Sequence, residues 1–158
     1  MRAAVITGYG GPEVLRVMDV PEPVPGPGEV LVDVVASALN RADLLQRMGL
    51  YPGPQMEHEV PGLEFAGRVS ALGEGVSRWS EGDEVMGITG GAAHAERLVV
   101  NADQAVRVPV GTPLEVAGAL PEVFITAWDA LVLQGGLLEG GTALVHAGAS
   151  GVGTAAIQ

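Results

Sequence analysis

The first 110 residues are a series of short segments in which apolar and polar residues alternate, separated by turns rich in glycine and proline. Alternation with a period of two is the pattern of a β-strand that buries one face, and Gly/Pro clusters mark its ends. We predict strands over residues 2–7, 14–18, 29–39, 63–71, 83–89, 95–100 and 104–108. Strands this short and this closely spaced indicate a small, mostly antiparallel barrel or sandwich.

Helical spacing of apolar residues occurs in two regions. Asn40 can cap a short helix that continues to about Met48. The pattern changes at residue 112, because residues 112–115 have the sequence Thr-Pro-Leu-Glu, a capping box with proline at the first helical position. Helical spacing then continues to about Leu133, with a predicted break near Pro121.

The end of the chain has the order of a strand, a glycine-rich turn and a helix. Residues 142–147 are a short apolar run typical of a buried parallel strand. Residues 148–153 have the sequence Gly-Ala-Ser-Gly-Val-Gly, and residues 154–158 fit a first helical turn. The predicted fold is therefore α+β: a mostly-β domain over residues 1–111, then a helical connector and the start of a second domain over residues 112–158.

The composition excludes several classes of function. The chain lacks cysteine and lysine, which excludes disulfides, catalytic thiols, cysteine-ligated zinc, Walker-type phosphate loops and Schiff-base chemistry. The net charge is −11, and the eight arginines are scattered among 19 acidic residues, so we expect no nucleic-acid partner. No apolar stretch approaches the roughly 20 residues of a membrane helix, so we expect a soluble, cytoplasmic protein with no membrane partner.

The glycine-rich turn matches a dinucleotide-binding fingerprint in part. Such a turn needs backbone N–H groups that face a pyrophosphate, with no side chain in the way. Gly148 and Gly153 occupy the first and last positions of G-x-G-x-x-G, while Ser150 takes the middle position and Gly151 follows it. The place between a predicted strand and helix favours the fingerprint over an ordinary strand–helix turn. Val152 excludes the nucleophile elbow G-x-S-x-G.

Five segments carry a resemblance to a known family. They are residues 38–47 (Ala-Leu-Asn-Arg-Ala-Asp-Leu-Leu-Gln-Arg), 49–52 (Gly-Leu-Tyr-Pro), 61–67 (Pro-Gly-Leu-Glu-Phe-Ala-Gly), 121–127 (Pro-Glu-Val-Phe-Ile-Thr-Ala) and 145–153 (Val-His-Ala-Gly-Ala-Ser-Gly-Val-Gly). With them the chain resembles the quinone oxidoreductases of the medium-chain dehydrogenase/reductase superfamily, in particular the tumour-suppressor-inducible quinone oxidoreductases and their bacterial relatives. The resemblance covers the whole chain and about half of the family's usual length.

The resemblance implies a GroES-like β-barrel domain followed by the first part of a Rossmann domain. It implies NADP(H) as cofactor, quinones or related enones and activated carbonyls as substrates, and a homodimer or homotetramer formed through the rest of the Rossmann domain. Zinc-dependent members of the superfamily carry a cysteine near Asn40 and a Gly-His-Glu motif that aligns with Gly62-Leu63-Glu64. Asparagine and leucine cannot hold the borderline-soft zinc ion, so we predict the zinc-free branch.

The resemblance also implies roles for individual residues. It places Tyr51 beside the nicotinamide, Asn40 at the substrate pocket and Thr126 near the nicotinamide. The alternatives are a half-buried surface aromatic for Tyr51, a helix cap for Asn40 and a hydroxyl bonded to its own helix for Thr126. Asp43 lies one helical turn after Asn40 and either shares its face or is solvated. The predicted catalytic residues are Tyr51, Asn40 and Asp43, and the predicted cofactor-binding residues are Tyr51, Thr126, Gly148, Ala149, Ser150, Gly151, Val152 and Gly153.

Six other ionisable side chains are predicted to be structural or solvated. Glu64 is expected to be a buried structural carboxylate. Residues 57–59 have the sequence Glu-His-Glu, but adjacent residues seldom converge on a metal ion without further partners, so a solvated loop is favoured. His94 and His146 lack the spacing of metal ligands.

The predicted reaction is direct hydride transfer from NADPH to a quinone, with hydrogen-bond donors stabilising the developing oxyanion. Tyr51 and Asn40 are the candidate donors, and the sequence leaves the general acid open. Two alternatives are a 2-enoyl thioester reductase of the same zinc-free architecture and a GroES-like binding module without catalysis. We expect the chain alone to be inactive, because the ribose-binding residue would follow the glycine turn by about 20 residues.

Overall fold

The chain divides into two units, Met1–Ala119 and Leu120–Gln158. A computed structural model describes residues 1–51 and 57–158. Pro52, the last residue of the 49–52 segment quoted above, lies outside the described residues. The domain boundary between residues 111 and 112 stays a prediction.

The first unit begins with a two-stranded antiparallel ribbon, β1 (Arg2–Ile6) and β2 (Leu15–Asp19). Ala3 and Val5 on β1 are buried, as the alternating pattern predicts. Every residue of β2 is exposed, so the ribbon has one buried strand and one surface strand.

A five-stranded antiparallel sheet forms the rest of the β structure, in the order β6-β3-β4-β5-β7. Its strands are β3 (Glu29–Ala36), β4 (Glu64–Leu72), β5 (Glu84–Ile88), β6 (Arg97–Asn101) and β7 (Ala105–Arg107). The pairing of β3 with β4 shifts register twice, between Leu31 and Val32 and between Val34 and Ala36. Shifts of this kind bend a strand and increase its twist. All seven predicted strands of the first 110 residues are present, within a few residues of their predicted ends.

Apolar side chains from the five-stranded sheet form the core of the first unit. Its fully buried members include Val30, Val32, Phe65, Val85 and Ala105. The Trp79 indole joins them and donates its Nε1–H to the Ala102 carbonyl at 2.8 Å. Full burial of one such branched or aromatic side chain stabilises the fold by about 1.5–3 kcal/mol. The core therefore holds β3 and β4, which flank the helix described next, in fixed positions.

Two short helices belong to the first unit. Helix α1 (Arg41–Arg47) follows β3, and Asn40 is its N-cap residue, as predicted. Helix α2 (Leu114–Ala117) packs its buried Leu114 and Ala117 near β3 and β4. The capping box predicted at residues 112–115 is wrong. The N-cap residue of α2 is Pro113, whose side chain has no hydrogen-bonding group, and the Thr112 N–H donates to the Pro109 carbonyl in the preceding turn.

The second unit is helical. Helix α3 (Pro121–Trp128) begins at Pro121, which confirms the predicted break, and a π-helical turn follows at Asp129–Gln134. Helix α4 (Gly151–Ile157) comes directly after Ser150 and starts three residues earlier than predicted. Among the residues that the structure describes, no helix is long and apolar enough to cross a membrane.

The strand predicted over residues 142–147 is absent. Residues 141–145 belong to neither a helix nor a strand, and the Leu144 side chain is 83% exposed. A parallel strand is held by hydrogen bonds to a neighbouring strand. The described part of the second unit contains no other strand, so this apolar run has no pairing partner within it.

Candidate functional site

The N-terminus of α1 brings together two of the predicted site residues, Asn40 and Asp43. The backbone N–H of Asn40 donates to Asp43 Oδ2 at 2.7 Å, and the Asn40 side-chain amide donates from Nδ2 to Glu64 Oε1 at 2.8 Å. Glu64 is the first residue of β4 and is 1% exposed. Asn40 is therefore fixed through its backbone by α1 and through its side chain by the central sheet.

Asp43 is buried rather than solvated, with 5% of its surface exposed. Besides the Asn40 N–H, its carboxylate accepts the Gly62 N–H at Oδ1, at 3.0 Å. The His94 Nε2 atom lies 3.6 Å from Oδ2, which is an ion-pair distance but too long for a hydrogen bond. Asp43 thus links α1, the turn before β4 and the segment before β6.

Opposing effects act on the pKa of Asp43. Burial raises it, because a desolvated carboxylate is less stable when charged. The facing His94 imidazole and the backbone N–H groups of Asn40 and Gly62 lower it, and together they outweigh burial. The pKa of Asp43 therefore lies below its ordinary value, and the buried carboxylate is charged at neutral pH.

Gly62 is required by the local backbone. Its φ is +108°, a conformation that residues with a side chain rarely adopt. An added Cβ would lie 2.6 Å from the backbone nitrogen of His94. The Ala93 and His94 N–H groups donate to the carbonyls of Gly62 and Pro61, at 3.2 and 3.0 Å. The turn before β4 is thereby joined directly to the backbone at residues 93–94.

His94 connects Asp43 to Ser37, a contact that the sequence did not predict. Ser37 Oγ lies 2.9 Å from His94 Nδ1. The His94 side chain is 15% exposed, and it borders, with Ser37, a groove of about 350 Å³. Ser37 and His94 are 57 positions apart, so no spacing rule could have paired them; only the pairing of β3 with β6 brings them together.

The residues where a zinc ion would bind in zinc-dependent relatives have a different chemistry here. Leu63 is apolar and 7% exposed, and the Asn40 amide is already a donor to Glu64. One amide and one alkyl side chain beside a carboxylate do not supply the nitrogen and sulfur ligands of a zinc site. In the described ranges, no three His, Cys, Asp or Glu side chains are grouped so that they could hold a metal ion.

The remaining predicted residues lie elsewhere. Tyr51 follows the end of α1 and is 41% exposed, and Thr126 is exposed on α3. Their predicted roles beside the nicotinamide stay predictions. Glu59 accepts a hydrogen bond from Gln46 Nε2 at 3.2 Å, and His146 is exposed.

The glycine-rich turn caps α4 and is tightly packed. Ser150 Oγ accepts the Gly153 N–H at 3.0 Å, which makes Ser150 a side-chain N-cap. A Cβ at Gly153 would lie 2.3 Å from the Ala147 carbonyl oxygen, so only glycine fits there. Close packing of a helix on the preceding segment is the role of the third glycine in a dinucleotide-binding turn. The role of the turn's residues in cofactor binding stays a prediction.

Comparison with known proteins identifies the chain. The alcohol dehydrogenase GroES-like domain family matches residues 26–133. The chain belongs to this family. The match confirms the predicted α+β fold with a GroES-like domain and the medium-chain dehydrogenase/reductase superfamily.

Three relatives show which kinds of protein this GroES-like chain is similar to. It is 41% identical to the rat synaptic vesicle membrane protein VAT-1 homolog over 160 residues, which cover 100% of this chain and 40% of that protein. The quinone oxidoreductase structure from Coxiella burnetii has a TM-score of 0.87 at 32% identity, over 99% of this chain and 52% of that one. The JamJ enoyl reductase structure has a TM-score of 0.90 at 30% identity, over 99% and 49%. The chain spans about 40% of the length of the rat relative. The cytoplasmic location of the protein stays a prediction.

Proposed function

We propose that this chain is part of an NADPH-dependent oxidoreductase that reduces quinones, or related enones and activated carbonyls, without zinc. The observation that carries the proposal is the hydrogen bond from the Asn40 amide to the buried Glu64 carboxylate, next to the apolar Leu63. An oriented amide replaces a metal ion at this place. The likeness to a quinone oxidoreductase of known structure supports the same substrate class.

The Asn40 amide can act on a substrate oxygen because only part of it is engaged. Its side-chain nitrogen carries two N–H donors, and within residues 1–51 and 57–158 one of them is used, in the hydrogen bond to Glu64. A donor held in place before the reaction stabilises negative charge that develops on a carbonyl oxygen. Tyr51, which is 41% exposed, is the proposed second donor.

The cofactor proposal rests on the glycine-rich turn. The backbone N–H groups at the start of α4 would face the pyrophosphate, and Gly148, Ser150, Gly151 and Gly153 would form the turn around it. A bound nicotinamide would supply the hydride. NADPH in preference to NADH, and a homodimer or homotetramer of the complete enzyme, are part of the proposal.

The test is replacement of Asn40 in the complete enzyme. We expect Asn40→Ala to lower kcat for NADPH oxidation by a quinone roughly 100- to 1000-fold, as loss of one oxyanion donor does. Asn101→Ala is the matched control, because the Asn101 side chain bonds the Asp103 N–H at the end of β6. Equal kcat values for Asn40→Ala and Asn101→Ala would contradict the proposed role of Asn40.

A 2-enoyl thioester reductase is the second candidate. The likeness to the JamJ enoyl reductase, at a TM-score of 0.90, favours it. A panel of quinones and enoyl thioesters offered to the complete enzyme separates the two candidates. Higher kcat/KM for the thioesters would make the second candidate correct.

A further inference from the structure

Three polar side chains, on three separate segments of the first unit, lie next to one another in a series. Ser37 follows β3, Asp43 lies on α1 and His94 precedes β6. The Ser37 hydroxyl contacts His94 Nδ1 at 2.9 Å, and His94 Nε2 faces Asp43 Oδ2 at 3.6 Å. The series ends at Asp43, whose carboxylate holds the Asn40 and Gly62 N–H groups.

The hydrogen-bond roles along the series follow from the imidazole. When the Ser37 hydroxyl donates to Nδ1, the neutral ring carries its proton on Nε2. That N–H then faces Asp43. His94 Nε2 is buried and has no partner within hydrogen-bond distance among the described residues. The charged Asp43 carboxylate can only accept, so it favours the tautomer with the proton on Nε2, in which the Ser37 hydroxyl donates to Nδ1.

His94 is attached to the site in two ways. Its backbone N–H bonds the Pro61 carbonyl, and its ring faces Asp43. Asp43 in turn bonds Gly62, two residues before Glu64, and Asn40, the partner of Glu64. The Asp43 carboxylate therefore contacts Asn40 directly and the backbone two residues before Glu64.

We propose that His94 and Ser37 are positioning residues of the substrate site, which act through Asp43 to hold the Asn40 amide in its reactive orientation. The inference rests on the proposed function, since it names residues that support the same site. The effect of both residues is on the placement of Asn40.

The decisive comparison is between two substitutions of His94 in the complete enzyme. His94→Gln keeps an N–H donor near the Nε2 position, whereas His94→Phe keeps a flat ring without a donor. We expect His94→Phe to lower kcat roughly 10- to 100-fold with KM little changed, because small misplacements of a reacting group have effects of this size. We expect His94→Gln to recover most of that loss.

Ser37 supplies a second comparison. We expect Ser37→Ala to lower kcat and Ser37→Thr, which keeps the hydroxyl, to preserve it. Ser70→Ala is the matched control, because Ser70 is a partly buried serine of the same sheet that bonds the Leu31 carbonyl instead. A purely structural role would give equal kcat values in His94→Gln and His94→Phe once the folded fraction is matched, and that result would overturn the proposal.

Hydrogen exchange of the Gly62 amide tests the positioning without any activity. This amide donates to Asp43 Oδ1, so we expect faster exchange in His94→Phe than in His94→Gln or the wild type. If the wild type reduces neither quinones nor enoyl thioesters, the proposed function is wrong. The exchange rates of the Gly62 amide still test whether His94 positions Asp43. Identical exchange in all three proteins would overturn the inference.

Discussion

Asp43 is a carboxylate that the fold buries and keeps charged. Two backbone N–H groups donate to it and the His94 ring faces it. A buried charge without such partners would be strongly destabilising. The same contacts that make Asp43 stable also fix Asn40 and Gly62, so the residue serves both the fold and the proposed site.

Replacement of Asp43 tests this role in stability. We expect Asp43→Ala to lower the free energy of unfolding by about 3 kcal/mol, since it removes two hydrogen bonds to a charged group and leaves two N–H groups unpaired. Asp103→Ala is the control, because Asp103 is 85% exposed in its pair with Arg78. Chemical denaturation measures both. A loss no larger in Asp43→Ala than in Asp103→Ala would contradict the account.

The lowered pKa of Asp43 also predicts a pH dependence. The folded-state pKa lies below the unfolded value of about 4. The unfolded state therefore binds more protons in this range, and stability falls as the pH drops. The contribution of Asp43 is complete above the unfolded pKa and is lost as the pH falls through the folded pKa.

Two other carboxylates also have lowered pKa values: Asp83, because of Arg107, and Glu96, because of Arg2. The contribution of Asp43 to the pH dependence of stability is therefore obtained by comparing the wild type with a variant of Asp43. We expect the stability difference between the wild type and Asp43→Asn to shrink as the pH falls below about 4. Urea unfolding across this range measures it. A difference that does not change with pH would show that the pKa of Asp43 is not lowered.

At the scale of secondary structure, the strands were predictable because each has its own alternating pattern. The helix after Asn40 was also predictable, since a cap and the shared face of positions 40 and 43 are local features. The prediction of a strand over 142–147 was wrong, because strand pairing depends on a neighbouring strand and not on the segment alone. The contacts of His94 depend on the pairing of β3 with β6, which no local pattern encodes.

The turn before α4 gives a prediction at the same scale. We expect Gly153→Ala to weaken NADPH binding by the complete enzyme roughly tenfold or more, because the new Cβ meets the Ala147 carbonyl at 2.3 Å and displaces the backbone that we propose binds the phosphates. Gly8→Ala is the control, since no atom lies within 4 Å of its added Cβ. Fluorescence titration with NADPH measures the affinities. Unchanged affinity in Gly153→Ala would contradict the assignment of this turn.

At the scale of the whole molecule, the chain combines a GroES-like unit that carries the proposed substrate site with a helical unit that carries the glycine-rich turn. The first holds the Asn40–Glu64 hydrogen bond and its supporting contacts. The fold class and the superfamily were predictable from motifs that extend over the whole chain. The buried network behind the site was not, because it joins residues from four separate segments.

The most direct test of the central claim is NADPH oxidation by a quinone with the complete enzyme after exhaustive treatment with a metal chelator. Because the proposed function gives the oriented Asn40 amide the place of a metal ion, we expect full activity with far less than one zinc ion per chain. Loss of activity on chelation, restored by added zinc, would contradict the account.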